Sequence, residues 1–419
     1  MFDFDEIVDR SGTNSIKWDI KEGELPMWVA DMDFKTAPPV IDALKKRVDH
    51  GIFGYSDYTE EWKEAYVGWW KRRHDFEMDK DALIFSTGAI PAISSIVRKL
   101  TTPAEKVVLL TPVYNIFFNS VVNNGRFPVE CPLKYVENSD ANNCINNCSE
   151  SSNDMAADDK NSSDKKVCAD GHFEIDWENF EKVCSDPQVS LLIFCNPHNP
   201  TGTVWDKESL ARVGEICFRN HVRVISDEVH CDLVCPTGHY IPFASVNEVN
   251  KKISITCLAP SKSFNIAGLA GAAVYVHDED IRHKVWRGIN TDEVGEPNAF
   301  AVQAAIAAYN YGEEWLDELR KYIAINKDLT KTFIQNEIPH LKYVSGPATY
   351  LCWVDARSFG KGNEKFTDFL RRTTGLWISD GAAYGKAGEG FLRINVATPK
   401  CNVEDGLERL KKGVELYTR

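Results

Sequence analysis

From residue 82 to residue 276 the sequence alternates short apolar runs with amphipathic stretches, and this alternation restricts the fold more than any other feature. The runs at 82–85, 106–110, 189–195, 222–226, 253–257 and 272–276 read as strands. The stretch from Ser86-Thr87-Gly88 to Lys99 leads into a helix, and 115–123 and 207–219 read as further helices. Such a succession implies an α/β fold, a mainly parallel sheet wrapped by helices. Sheets of this kind gather their ligands at the carboxyl ends of the strands.

The flanks read differently. Residues 1–50 open with polar turns, followed by an irregular segment, Leu25-Pro26-Met27-Trp28-Val29-Ala30-Asp31-Met32-Asp33-Phe34, in which two aspartates sit beside apolar residues. A helix is expected at 38–48, with Pro39 suited to its first turn. Residues 51–58 read as a glycine- and aromatic-rich loop, and 60–74 as a helix. Trp62, Tyr66, Trp69 and Trp70 recur in that helix at helical spacing, which points to core packing rather than a ligand cage. Beyond 285 the expectation is a helix pair (298–309, 314–337), short strands (341–345, 350–355), a helix (364–374), a strand (391–396) and a last helix. Val403, Leu407, Leu410 and Val414 form one apolar stripe on that last helix. The expected division is a segment 1–50 joining a small domain, a large domain 51–285, and a small α+β domain 286–419. Residues 137–170 are rich in Asn, Ser and Asp and poor in bulky apolar side chains, and read as a disordered surface insertion.

Charge and cysteine usage remove several function classes. A net charge of −14 argues against nucleic acid or an anionic membrane as the main partner. No run of 18 apolar residues offers a membrane span. The acidic start, Met1-Phe2-Asp3-Phe4-Asp5-Glu6, lacks the apolar core of a secretory signal, so a cytoplasmic location is expected. Of the 12 cysteines, Cys195, Cys217, Cys257 and Cys352 lie in apolar runs and read as small buried hydrophobes of a reducing compartment. Cys144 and Cys148, in a CxxxC spacing, and Cys168 suggest a metal clip, but no histidine pair accompanies them.

Four strand ends carry chemistry when taken together. Gly88-Ala89-Ile90 opens a helix, where free N–H groups favour an anion, although such turns are common. Asn196-Pro197-His198-Asn199-Pro200-Thr201-Gly202 follows a strand and fixes an amide in a stiffened loop. Ser226-Asp227-Glu228-Val229-His230 closes another strand with a carboxylate, which could equally be a helix cap. Lys262, in Ala259-Pro260-Ser261-Lys262-Ser263-Phe264-Asn265-Ile266-Ala267-Gly268-Leu269, ends a fourth. A lysine so placed loses hydration and its pKa falls, which makes it a nucleophile or base rather than a plain surface cation. An anion site, a fixed amide, a carboxylate and a desolvated lysine match the needs of pyridoxal 5′-phosphate.

These motifs, together with Asn14-Ser15-Ile16-Lys17-Trp18-Asp19 and the Trp28–Phe34 run, resemble the class I/II aminotransferase superfamily of fold-type I pyridoxal-phosphate enzymes. Within it they resemble the MalY/PatB group of cysteine-S-conjugate (cystathionine) β-lyases. The resemblance implies a mainly parallel seven-stranded sheet in the large domain and a homodimer with active sites at the interface. It further implies that Lys262 bonds the cofactor aldehyde, Asp227 pairs with the pyridine nitrogen, Asn199 binds the ring oxygen and Tyr114 stacks on the ring. Gly88, Ala89, Ile90 and Ser261 would hold the phosphate, with Tyr55 reaching it from the second subunit. His230 would belong to the cofactor-binding set. Arg393 would clamp the substrate carboxylate by its bidentate fork, with Trp28, Ala30 and Asp31 beside the substrate.

Two positions depart from the wider superfamily: His230 stands where many relatives carry tyrosine, and Ala270 where many carry a phosphate-binding arginine. His230, Cys231, Cys235 and His239 resemble a zinc set, but His230 and Cys231 directly follow the pyridine-binding Asp227, and no metal is expected. Three functions follow from the resemblance. One is β-elimination from cystathionine and other cysteine S-conjugates, giving a thiol, pyruvate and ammonia. The second is transamination on the same scaffold. The third is a regulatory role through protein binding.

Overall fold

The computed structural model describes residues 2–138, 169–360 and 364–419. Seven strands form the main sheet: β1 (Leu83–Ser86), β2 (Lys106–Thr111), β3 (Phe127–Pro132), β4 (Val189–Cys195), β5 (Arg223–Asp227), β6 (Ser254–Leu258) and β7 (Ala272–Tyr275). Their order is β1-β7-β6-β5-β4-β2-β3. All neighbours pair in parallel except β7, which runs against both β1 and β6. The seven-stranded, mainly parallel sheet therefore stands as expected. The carboxyl ends of the six codirectional strands share one edge.

The sheet is buried on both faces, which is why its central strands read as continuous apolar runs. Strand pleating sends alternate residues to opposite cores. Val107, Leu109, Leu191 and Ile193 pack with Ile93, Ile96 and Val285. Val108, Leu110, Leu192 and Phe194 pack with Phe180, Leu210 and Val213 on the other side. Cys195, Cys217, Cys257 and Cys352 are free and buried, as their apolar settings suggested. β3 escaped the sequence reading. It is one of the sheet's two edge strands, largely accessible, and its Pro128, Glu130 and Pro132 break any apolar pattern. An edge is where a sheet tolerates proline.

Helix Glu60–His74 is capped by the Thr59 side chain, which accepts from Trp62 N. It buries Trp62, Tyr66, Trp69 and Trp70; the last three pack on Tyr309, Trp69 also on Phe264, and Trp62 on Tyr66 and Phe85, so the aromatic spacing is core. Helices Ala301–Tyr311 and Glu313–Glu337 follow, and then a second sheet. That sheet orders Lys342–Tyr343, Leu351–Asp355, Phe391–Asn395 and Ser379–Asp380. The last helix, Lys400–Tyr417, buries Val403, Leu407, Leu410 and Val414. Near the amino terminus Leu25–Pro26 pairs in parallel with Leu376–Trp377. Lys134–Glu137 and Gly171–Glu174 form an antiparallel pair. Most of the expected insertion 137–170, with Cys144, Cys148 and Cys168, lies outside the described residues. No helix among the described residues is long and apolar enough to cross a membrane.

One buried carboxylate ties the aromatic helix to the lysine-bearing loop. Asp232 Oδ1 accepts from Trp69 Nε1 at 3.0 Å and lies 3.0 Å from His74 Nε2, while Oδ2 accepts from Ser263 Oγ at 2.9 Å. Burial favours the neutral acid, but His74, Arg73 and Ser263 outweigh it and hold the pKa below its ordinary value. His74, Cys231 and Asp232 do converge closely enough for a metal. Here the carboxylate is already engaged by Trp69 and Ser263, and burial pushes the Cys231 thiol well up. Removing one member of such a buried charged cluster strands its partners. Asp232→Ala should therefore cost about 3 kcal/mol of stability, read as a lowered urea midpoint at pH 7. An unmoved midpoint would show that the node carries no weight.

Candidate active site

Residues 28–34 belong to no strand or helix. Their carbonyl groups are largely satisfied by side chains instead. Trp28 O accepts from Arg393 Nη2 at 2.8 Å and Ser379 Oγ at 3.1 Å. Asn395 Nδ2 donates to both Val29 O and Asp31 O at 2.6 Å. Ala30 O accepts from Lys262 Nζ at 2.6 Å and Tyr350 Oη at 3.0 Å. Asn265 Nδ2 donates to Met32 O at 3.0 Å and Phe34 O at 2.9 Å, and Asn265 Oδ1 accepts from Met32 N at 3.0 Å.

The motif at 14–19 anchors this segment from behind. Lys17 Nζ and Trp18 Nε1 both donate to Asp33 at 2.8 Å, and Arg10 reaches Asp33 and Asp31 at 2.7 Å each. Lys17 is only 1% exposed, so its charge is tolerable because it is paired. Asp31, expected beside the substrate, has its side chain in this network. Trp28, also expected there, stacks on Trp377 at 4.6 Å, and Arg371 covers the far face of the stack at 3.4 Å from the Trp377 ring.

Four of the expected groups meet at the strand ends. Lys262 follows β6; burial and the Arg393 charge push its pKa down to about 8, against the pull of Asp31 and Asp227. Asp227 ends β5; burial lifts it to about 6, opposed by Val229 N and the Lys262 charge. Arg393, in the central strand of the small sheet, donates from Nη1 to Asn199 Oδ1 at 3.2 Å, and its guanidinium lies 4.8 Å from the Tyr384 ring centre. It is 5% exposed, its Nε has no partner, and among the described residues no carboxylate pairs with it. A buried cation without a counter-charge is unusual unless a ligand supplies one. With Oδ1 turned to Arg393, Asn199 keeps its Nδ2 hydrogens for another acceptor.

Burial, Lys262 and Arg393 push His230 down to about 3, so its ring is neutral near neutral pH, and its Nδ1 is unpartnered. Glu228 points the other way, to Ser226 Oγ at 2.6 Å, Tyr240 and Phe243 N, with burial lifting it to about 7. Tyr114 follows β2. Its ring lies edge-on to Phe117, and burial chiefly raises its pKa, with Arg393 opposing and Asp227 and Tyr384 adding.

The residues fit pyridoxal 5′-phosphate. Helix Ala89–Leu100 begins at Gly88 (φ 155°) with no side-chain cap, leaving its first-turn N–H groups for an anion. A Cβ on Gly88 would lie 3.3 Å from Pro91 Cδ. Ala89 packs against the cluster of Val229, Ala259 and Ala272, which includes the residue two before Ser261. Ala270 takes a left-handed conformation (φ 51°) and brings no guanidinium. Tyr55 is fully exposed beside a surface cleft of about 600 Å³ shared with Phe53, Gly268, Leu269 and Asn298, so the single chain does not bring it to the other residues.

Sequence reasoning missed Tyr350, Asn395 and Tyr384 and assigned no role to Asn265. Their work is to hold backbone carbonyls or to cover the Arg393 guanidinium, and nothing in local sequence signals it.

Comparison with known proteins shows one family. The model of the family "Aminotransferase class I and II" matches residues 25–410. Cystathionine beta-lyase PatB of Bacillus subtilis strain 168 is 38% identical over 97% of this chain and 98% of that protein. Protein MalY of Escherichia coli strain K12 is 31% identical over 98% of each. The crystal structure of the PLP-bound C-S lyase from Staphylococcus hominis superposes with a TM-score of 0.85 at 32% identity, covering 99% of this chain and 98% of that one.

The raised pKa of Asp227 has a measurable cost. Between its unfolded value of 3.8 and its folded value of about 6 the native chain holds the extra proton, so stability falls as pH rises through that window and stays reduced above it. Asp227→Asn should stabilise the cofactor-free chain by on the order of 2 to 3 kcal/mol at pH 8 and by little near pH 4. Thermal midpoints at the two pH values test this, and an equal effect at both would contradict it.

Proposed function

From the premise that the chain belongs to the class I and II aminotransferase family, and within it to the group of PatB and MalY, we propose that it is a carbon–sulfur β-lyase. Its cofactor is pyridoxal 5′-phosphate. Its proposed substrates are L-cystathionine and related cysteine S-conjugates, split with water into a thiol, pyruvate and ammonia; cystathionine would yield homocysteine. The observation that carries the reading is the pairing of a desolvated Lys262 with a buried Arg393 that has no carboxylate partner among the described residues. One can take a proton at Cα while the other holds an α-carboxylate.

In this reading Lys262 holds the cofactor aldehyde, Asp227 its ring nitrogen, Asn199 its ring oxygen and Tyr114 its ring face. Gly88, Ala89, Ile90 and Ser261 hold the phosphate, and Tyr55 of a second subunit completes that site in a homodimer. The bound cofactor supplies an electron sink for the broken Cα–H bond. Arg393 Nη1 and Nη2 give up neighbouring acceptors to grip the substrate carboxylate as a fork. Lys262 Nζ, when free, would remove the α-proton. A pKa near 8 leaves a useful fraction of that amine neutral close to physiological pH. The Cβ–S bond would then break, and the departing sulfur would take back a proton from the Lys262 ammonium to leave as thiol. His230 stays neutral throughout and can orient groups without moving a proton.

The test uses the cofactor-loaded protein and L-cystathionine with no 2-oxo acid present. Pyruvate and free thiol should appear in equal amounts. Lys262→Ala should slow their release about a thousandfold or more, the scale of losing a general base. A requirement for a 2-oxo acid acceptor would overturn the lyase reading in favour of amino transfer.

A further inference from the structure

We propose that Tyr350 is a positioning residue for Lys262, acting through the carbonyl oxygen of Ala30; the role rests on the lysine chemistry proposed above. A carbonyl oxygen has two lone pairs. On Ala30 both are taken, one by Lys262 Nζ at 2.6 Å and one by Tyr350 Oη at 3.0 Å. The acceptor is fixed: Asn395 Nδ2 grips the carbonyls on either side of it, Val29 O and Asp31 O, at 2.6 Å each.

The phenol is fixed as well. Tyr350 is fully buried and leads into strand Leu351–Asp355. The loop before it is clamped by the Lys327 ammonium, which donates to Gly346 O, Ala348 O and Thr349 O at 2.8, 2.9 and 3.2 Å. Thr349 N adds a bond to Leu233 O at 2.7 Å. The Ala30 oxygen is therefore a rigid docking point for Lys262 whenever its Nζ is free.

The hydroxyl sets how strongly that point binds a cation. Donation from Tyr350 draws on the lone pairs of Ala30 O and weakens it as an acceptor for an ammonium group. A weaker acceptor favours the neutral amine. The charged groups facing Lys262 are Arg393, which disfavours its charge, and Asp31 and Asp227, which favour it, with His230 neutral beside them. Tyr350 adds to the Arg393 side of this balance while carrying no charge itself.

The test is Tyr350→Phe in the full-length chain freed of cofactor. Reductive methylation of Lys262, followed by mass spectrometry across pH, gives a midpoint for its amine. That midpoint should rise by about half a pH unit, with methylation at pH 8 slowed about twofold. An unchanged or lowered midpoint would overturn the proposal. So would a rise shared by the buried lysines Lys17 and Lys327, because that pattern marks general loosening. Uptake of pyridoxal 5′-phosphate by the wild-type chain is scored separately by absorbance. Its failure would count against the enzyme reading, while the Lys262 midpoint would still decide the Tyr350 contact.

Discussion

A buried backbone that belongs to no helix or sheet must find hydrogen-bond partners elsewhere. Residues 28–34, half-buried at 28–31 and buried at 32–34, are largely such a backbone, and the site is arranged around meeting that demand. Their carbonyls are reached by Lys262 and Asn265 from one loop, Arg393 and Asn395 from one strand, and Tyr350 from the start of another. The segment thus fixes the side chains that would do chemistry, and those side chains fix the segment. A displaced strand Phe391–Asn395 would release Trp28, Val29 and Asp31 together and leave Lys262 without a defined acceptor.

Charge is treated in two opposite ways within a short distance. Behind the segment Lys17, Arg10, Asp31 and Asp33 neutralise one another, and the buried ammonium of Lys17 lies 2.8 Å from Asp33. In front of it the half-buried Lys262 and the buried Asp227 and Arg393 have no close ionic partners, and the first two have pKa values moved toward neutrality. Paired groups give a rigid wall. Unpaired groups cost stability in the empty chain and are the ones a charged ligand would relieve. The contrast separates scaffold from site more clearly than burial does, since Lys17 and Arg393 are both almost wholly buried.

The sequence reading reached the parallel sheet because its inner strands are buried on both faces and therefore apolar throughout; β4 was bounded at Val189–Cys195, as found. It missed β3 because a strand at the edge is free to carry proline and glutamate. Lys262, Asp227 and Arg393 stood out as polar residues after, or inside, an apolar run, and Asn199 by its two Asn-Pro pairs, while the roles expected of them came from the resemblance. Tyr350 and Asn395 were not, because each acts on a main-chain atom more than 300 positions away. A hydrogen bond to a carbonyl leaves no complementary residue type in the partner segment. For the same reason the motif at 14–19 announced its family and hid its role: Lys17 and Trp18 serve Asp33, not a ligand.

Asn265 shows how much one position in such a motif can be asked to do. The loop after Lys262 needs a left-handed residue there, with φ 54°. Glycine would adopt that conformation at least cost, and asparagine is among the few side chains that tolerate it. Glycine, however, would leave the Met32 N–H without Asn265 Oδ1 and the carbonyls of Met32 and Phe34 without Nδ2. Aspartate would keep the acceptor but lose both donors, and would add a negative charge three residues from the lysine. Only an amide on a short stem meets the backbone and the side-chain requirement together. The Lys262 loop and the 28–34 segment are therefore joined at two points three residues apart, Lys262 to Ala30 O and Asn265 to Met32 and Phe34. That spacing lets the lysine move away from its acceptor while the loop stays in register.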